Sequence, residues 1–440
     1  MGEFVKGFVG ESVGDDELTA RMAEVADSVR DVLPAALTLY ETLHAAPEPS
    51  GQEAGTAALF AARLKEAGCE TATGIGGHGV VGLLRNGPGP VVALRAELDA
   101  LPVTEATGLP YASRVPGVMH ACGHDAHLAC VVGAVDWLAA RPGAWSGTLM
   151  VIGQPAEETL TGARAMLDEG LYERFGRPDV VLAQHVAPLP CGVVAHGPGP
   201  LTSATALVNV VVRGRGGHGA TPHLTVDPVV VAAGVVQRIQ TVVSRENNPF
   251  EPLVVTVGTL HAGTAPNVVP DTAELGISIR CYDDAQLDRA IAAVRRVVRG
   301  ECAAAGCPQE PLITVGPTAP VTVNAPAPAA RVRAAHTALL GDRRVLTTPA
   351  MLASEDFGLF AADGVGTVYW FLGSTGATAW RAAPGRTPQE KTAALPANHT
   401  PGFAPSPEAT LRHGIGAAVA AALACLDRRR GRHTEHQHAG

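Results

Sequence analysis

Aromatic residues make up only 4% of this 440-residue chain, and just three of its 33 basic residues are lysine (Lys6, Lys65 and Lys391). The aromatic shortage argues against a protein that reads nucleic acid by stacking on its bases. The formal net charge of -9 leaves no positive field to gather phosphates. The scarce lysine, beside abundant Ala, Gly and Pro, reads as coding bias. No apolar run approaches the roughly 18 residues that a membrane span needs. The longest, around residues 415–426, is short and broken by small residues. The start, MGEFVKGFVGESVGDDELT, lacks a basic stretch followed by an apolar one, and Lys6 stands where a myristoylation site wants Ser or Thr. We therefore expect a cytoplasmic protein with neither a membrane nor a nucleic-acid partner. The eight cysteines are scattered without a Cys-x-x-Cys pair, so reduced, buried thiols are expected in place of a disulfide framework.

Hydrophobic residues form 46% of the chain, and its length allows two or three domains at roughly 150 residues each. Residues 1–32 are acidic and read as a loose or helical N-terminal arm. Residues 33–67 have largely helical spacing, with Gly68 as a stop. Strand-like runs follow at 80–84 and 91–97, joined by the turn NGPGP, and again at 147–154 and 179–186. A helix is expected over residues 125–138. Apolar strands alternating with helices point to an α/β fold with a mainly parallel sheet covered on both faces. Residues 200–316 have a separate rhythm: strand 205–213, helix 228–244, strands 253–260 and 272–282, helix 285–305, strand 312–315. That β-α-β-β-α-β order is the ferredoxin-like unit, inserted into the first domain. The chain returns to the main domain over 317–427, with a strand at 368–374 and a helix at 408–426. Residues 428–440 read as a disordered tail.

The informative segment is MHACGHDAH at 119–127. Cys122 and His124 lie at a turn before a helix, where two residues separated by one can face the same ion. Thiolate and imidazole suit zinc and its neighbours, and the helix N-terminus would favour the thiolate. The pair is equally well read as a buried cysteine beside a structural histidine. QPAEE at 154–158 closes an apolar strand, and open α/β sheets place their sites at such carboxyl ends. One glutamate could hold metal while the other moves a proton. An isolated Glu-Glu is more often an exposed acidic loop. His185 ends another apolar strand, and His399 lies in the loop NHTPGF. Each alone is more often structural. Together, four segments offer Cys, His, Glu, His and His, the ligand inventory of a hydrolytic metal site.

RAELDALPV, MHACGHDAH, QPAEE, AQHV, GGHGATPH, APNVVPD, SEDFG and NHTPGF occur in that order. The ordered set resembles the aminoacylase and carboxypeptidase family of metallopeptidases, above all its amidohydrolase branch, which includes hippurate hydrolases and auxin-amino-acid hydrolases. The resemblance spans about residues 33–425. It implies a catalytic domain (33–199 and 317–427) with an inserted lid and dimerisation domain (200–316). It also implies a homodimer or homotetramer, and N-acyl amino acid or small-peptide substrates. Cys122, His124, Glu158, His185 and His399 would hold one or two divalent ions (Zn, Mn, Co or Ni). Glu157 would be the general base, and Asp99 would orient a ligand from behind. His218 would reach an active site, of its own or another subunit, to stabilise the oxyanion. Asn267 and Arg280 would grip a substrate carboxylate. Two positions depart from the wider family. Glu97 stands where that family has His, and Cys122 stands where it bridges its metals with Asp.

Rival readings have less context. GIGGHG at 74–79 matches a dinucleotide fingerprint, but strand and turn follow where a helix is needed. Ser12 in GESVG lacks the strand-to-helix setting of a serine nucleophile. The pattern His-Glu-x-x-His is absent. A cysteine hydrolase built on Cys122 leaves the paired glutamates and His399 idle. A small-peptide dipeptidase or carboxypeptidase of the same family is the nearer alternative. A metal-binding homologue without catalysis would not need Glu157. Asp125 could hold the His124 imidazole from behind. His120 and His127 flank the motif, to support it from behind or simply to pack; His44 and His223 receive no ligand role, and Glu355 reads equally as structural or functional. The terminal His433, His436 and His438 read as a solvated tail.

Overall fold

The runs Val91–Glu97, Gly147–Gln154 and Val180–Pro190 are almost continuously apolar over their first halves, so they offer no solvent face. In the computed structural model, which describes residues 15–426, they lie side by side in the middle of one sheet. Ser12 and the histidines 433, 436 and 438 fall outside the described residues, as does the expected tail. Across the sheet the strands run Glu70–Ile75, Gly79–Asn86, Gly147–Gln154, Val91–Glu97, Val180–Pro190, Gly366–Thr375, Val194–His196 and Val345–Thr347. Four of the seven neighbouring pairs are parallel, and the antiparallel ones lie toward the edges. The fold is α/β and the sheet is mainly parallel.

The turn NGPGP joins Gly79–Asn86 to Val91–Glu97 but does not make them neighbours. Gly147–Gln154 sits between the two, antiparallel to the first and parallel to the second. Seated there, this run pairs its backbone on both sides, which an apolar strand buried on both faces requires. Local turn chemistry brings two chain ends together, while burial chooses the strand between them.

Helices cover both faces of the sheet. The helical stretch expected over 33–67 is two helices, Leu33–Ala45 and Ala54–Glu66, broken where Pro47, Pro49 and Gly51 interrupt it. The described part of the N-terminal arm is a helix, Asp15–Ser28, with Met22 and Val25 buried in the main core. The helix His124–Ala139 is buried all round, as its composition demands, and packs against Pro407–Cys425.

A second hydrophobic cluster belongs to residues 204–302. Its sheet runs Leu253–Ala262, Thr272–Cys281, Ala204–Arg213, Leu312–Ala319, antiparallel throughout, and this is the ferredoxin-like strand order. The helices Pro228–Thr241 and Asp284–Ala304 pack on it. Each begins at an aspartate that accepts a backbone N–H, Asp227 from Val229 and Asp283 from Gln286. Among the described residues no helix is long and apolar enough to cross a membrane.

Arg95, wholly buried on the central strand, carries the charge that lets this sheet bury its acids. It pairs with Glu97, lies 3.4 Å from both Glu355 and Asp356, and donates through Nε to Gln154 at 2.8 Å. Burial pushes the Glu355 carboxyl up to about 7 and Asp356 up to about 6, against the opposing pull of Arg95. Replacing Arg95 with Met strands these acids. A loss of roughly 3–5 kcal/mol in unfolding free energy is expected for breaking such a buried pairing. Urea unfolding followed by tryptophan fluorescence measures it, and a loss below about 1 kcal/mol counts against this account.

Candidate metal centre

The parallel strands Val91–Glu97, Gly147–Gln154 and Val180–Pro190 run in register, with Glu97 beside Gln154 and Arg95 beside Ala183. Asp99 and Glu157 follow the ends of the first two strands, His185 lies midway along Val180–Pro190 just past its last residue paired with Val91–Glu97, and the turn before helix His124–Ala139 adds Cys122 and His124. Gly123 makes this turn with φ +86°, and a Cβ there would lie 2.4 Å from Val186 Cγ2. Only glycine fits both the backbone and the space. His399 comes from the loop 396–403. Its backbone N–H donates to Ala121 O, and Asn398 Nδ2 donates to Cys122 O and Val186 O.

The five expected ligands meet. Cys122 Sγ lies 3.3 Å from His185 Nε2 and 3.3 Å from His399 Nε2. His399 Nε2 is 3.4 Å from Glu158 Oε1, and His124 Nε2 is 3.8 Å from Glu158 Oε1 and from Glu157 Oε2. Two compact triads emerge, Cys122–His124–His185 and Cys122–Glu158–His399, and in each the donor atoms all lie within 4.8 Å of one another. Cys122 belongs to both. Glu157 forms a further triad with His124 and Glu158.

The donors are already oriented. His124 Nδ1 donates to Asp99 O at 2.8 Å and lies 3.2 Å from Asp99 Oδ1, which turns Nε2 into the cluster. His185 Nδ1 donates to Val186 O, again leaving Nε2 inward. Such contacts fix the tautomer a cation needs. Buried His124 Nε2 and Glu158 Oε1 make no hydrogen bond. Orphaned, converging donors of the Cys, His and Glu types fit one or two divalent cations of the zinc group. Burial and the neighbouring charge of Glu158 push the Cys122 thiol well up, so the helix N-terminus does not by itself yield a thiolate there. Burial also lowers His185 to about 3. Burial and Glu158 together raise Glu157 well above the ordinary glutamate range.

Asp125 does not stand behind His124. It turns the other way and accepts from His44 Nδ1 at 2.6 Å, because Asp99 already occupies the back of His124. His127 Nδ1 donates to Glu97 Oε2, and its Nε2 accepts from Val186 N–H. Glu97 is thus fully engaged by Arg95 and His127. These supporting contacts were not legible in the motifs, since they join segments 30 or more residues apart.

Within one chain none of the three inserted residues His218, Asn267 and Arg280 makes a hydrogen bond to a cluster residue. His218 lies exposed on a two-stranded ribbon, Gly217–His218 against Val268–Val269, with exposed Asn267 at its foot. Arg280 donates through Nη1 to Leu352 O at 2.6 Å and Ser354 Oγ at 2.8 Å. That contact ties the inserted sheet to the segment preceding Glu355.

Comparison with known proteins gives a consistent picture. The family model described as peptidase family M20/M25/M40 matches residues 93–393. Thermostable carboxypeptidase 1 of Saccharolobus solfataricus is 35% identical over 358 residues, covering 80% of this chain and 88% of that protein. Hippurate hydrolase of Campylobacter jejuni is 36% identical over 321 residues, covering 72% and 82%. A solved Bacillus subtilis structure, described as a dinuclear metal binding peptidase from the M20 family, superposes with a TM-score of 0.72. It is 26% identical and covers 91% of this chain and 100% of that one.

Behind the cluster, His44 holds Asp125 and lies 3.3 Å from Glu105. Burial opposes its charge, but the two carboxylates prevail and raise it to about 9. A histidine raised on folding stabilises fully below its unfolded value near 6.5, and loses that contribution as pH climbs to about 9. The wild type should lose about 3 kcal/mol across that window beyond what His44→Gln loses. Urea unfolding of both proteins at pH 6 and pH 9 reads the difference, and parallel pH profiles exclude it.

Proposed function

The chain belongs to peptidase family M20/M25/M40, and from that membership we propose that it is a metal-dependent amidohydrolase cleaving N-acyl amino acids. It is a hydrolase of amide or peptide bonds. The observation that carries the finer reading is the pair of ligand triads sharing Cys122, with buried Glu157 left beside them. Cys122, His124, Glu158, His185 and His399 would hold one or two divalent ions, of Zn, Mn, Co or Ni. When bound, these ions supply Lewis acidity to water and to the amide carbonyl.

The chain's own residues do the rest. Glu157, in a buried corner 3.8 Å from His124 Nε2, accepts a proton from the attacking water on its carboxylate. Its raised affinity for protons suits it to pass the same proton to the leaving nitrogen. Asp99 keeps His124 Nε2 facing inward throughout. His218 would donate to the oxyanion, and Asn267 and Arg280 would receive the substrate carboxylate. Because His218 makes no hydrogen bond to a cluster residue within one chain, a homodimer or homotetramer belongs to the proposal. The products are a carboxylic acid and an amino acid.

A second reading, removal of the last residue from small peptides, has one observation in its favour: the relative named thermostable carboxypeptidase. A panel of acetyl and benzoyl amino acids beside dipeptides, read by mass spectrometry, separates the two. We expect turnover of the acyl amino acids, its loss after chelation and its return with Zn, Mn, Co or Ni. Full activity of metal-free protein overturns the metal assignment. Glu157→Gln should keep its metal and lose at least about 10³-fold in kcat, whereas Glu158→Gln should bind less metal. Elemental analysis beside steady-state kinetics checks both, and equal metal loss in the two variants contradicts the division of roles.

A further inference from the structure

We propose that Glu53 is a positioning residue for Glu157, an inference that rests on the reading of Glu157 as the proton carrier. Glu53 directly precedes the helix Ala54–Glu66, in the place where an acidic side chain ordinarily caps the first turn. It does not cap. Glu48 performs that task, accepting from Gly55 N at 3.0 Å and Thr56 N at 2.7 Å. Glu53 is instead 0% exposed, with Oε2 buried and unpartnered. Burying an acid this way is costly and nothing in the helix requires it.

Its other oxygen points to the reason. Glu53 Oε1 accepts from Gly51 N and from Ala156 N, both at 2.8 Å. Ala156 is the residue before Glu157, and it holds φ +49°, a left-handed backbone that alanine adopts only under constraint. The turn is pinned on its far side as well. Ala156 O accepts from Thr161 N and Gly162 N, and Gly162 packs so closely that a Cβ would meet Pro155 O at 1.6 Å. On the other flank, Glu158 N donates to Asp99 Oδ2 at 3.0 Å, and Asp99 Oδ2 also accepts from Ser50 Oγ at 2.7 Å. Two buried carboxylates therefore grip the amides immediately before and after Glu157. Ser50 and Glu53, from one short loop, reach both grips. Glu53 acts on the Ala156 side and sets the direction of the Glu157 side chain, while the neighbouring ligand Glu158 is held through its own amide by Asp99.

The test is a set of substitutions at Glu53, each made alone and in the Glu157→Gln background. Glu53→Gln keeps an acceptor at the Oε1 position without charge, and Glu53→Asp keeps the charge but withdraws the acceptor. Positioning predicts that Glu53→Gln stays within about fivefold of wild-type kcat, while Glu53→Asp and Glu53→Ala fall by about 10²-fold. KM and metal content should stay within about twofold, since neither depends on this aim. In the Glu157→Gln background the same changes should alter the residual rate by less than about twofold, because there is no carboxylate left to aim. If Glu53→Ala fails to fold, the pair Glu53→Gln and Glu53→Asp decides. Glu53→Asp as active as Glu53→Gln, or equal losses in both backgrounds, overturns this inference while leaving Glu157 in its role. Wild-type turnover by Glu157→Gln alone overturns the role of Glu157, and this inference with it.

Discussion

Beneath the candidate site lies one wholly buried cation, Arg95, and the acids around it are tolerable only in its presence. Glu97, Glu355 and Asp356 share its guanidinium, and Gln154 fills its Nε. Through Glu97 the same charge fixes His127, which accepts from Val186 N–H beside His185. Through Asp356 it reaches Ala163, just past the turn that carries Glu157. A single ionic knot thus sets the floor on which several catalytic segments rest. The inserted sheet is joined to the same floor, since Arg280 grips the residues just before Glu355.

Above that floor the donors are held by backbone oxygens and carboxylates, and their free nitrogens and oxygens face each other. This is preorganisation: the orientations are set by folding, before any cation or substrate arrives. The arrangement is graded in access. His124, His185 and Glu157 are buried or nearly so, whereas the His399 side chain is 53% exposed. The loop carrying His399 is therefore the open side of the cluster.

Much of this was legible in the residues. The apolar runs announced the central strands, and the β-α-β-β-α-β rhythm announced elements of the inserted sheet whose ends the structure moves by only a few residues. The donor types that the structure brings together were legible too, because thiol, imidazole and carboxylate in these segments have few other uses in combination. Other features were not. The turn NGPGP joins two strands in sequence, yet Gly147–Gln154 lies between them in the sheet. Asp125, next to His124 in sequence, faces His44 instead. Glu53 lay within the stretch 33–67 read as helical and carried no expected role. In each case a distant segment competed for the same group and won, and no local pattern records such competition.

The chain by itself determined the kinds of element, their order and the chemical character of the donors, because periodicity and side-chain chemistry are local properties. Tertiary structure alone decided which donors converge, which carboxylates lie side by side, and which aspartate stands behind which histidine. Those choices depend on parallel strands pairing in register and on buried charges finding their nearest compensation, and both are settled by packing between residues far apart in the chain.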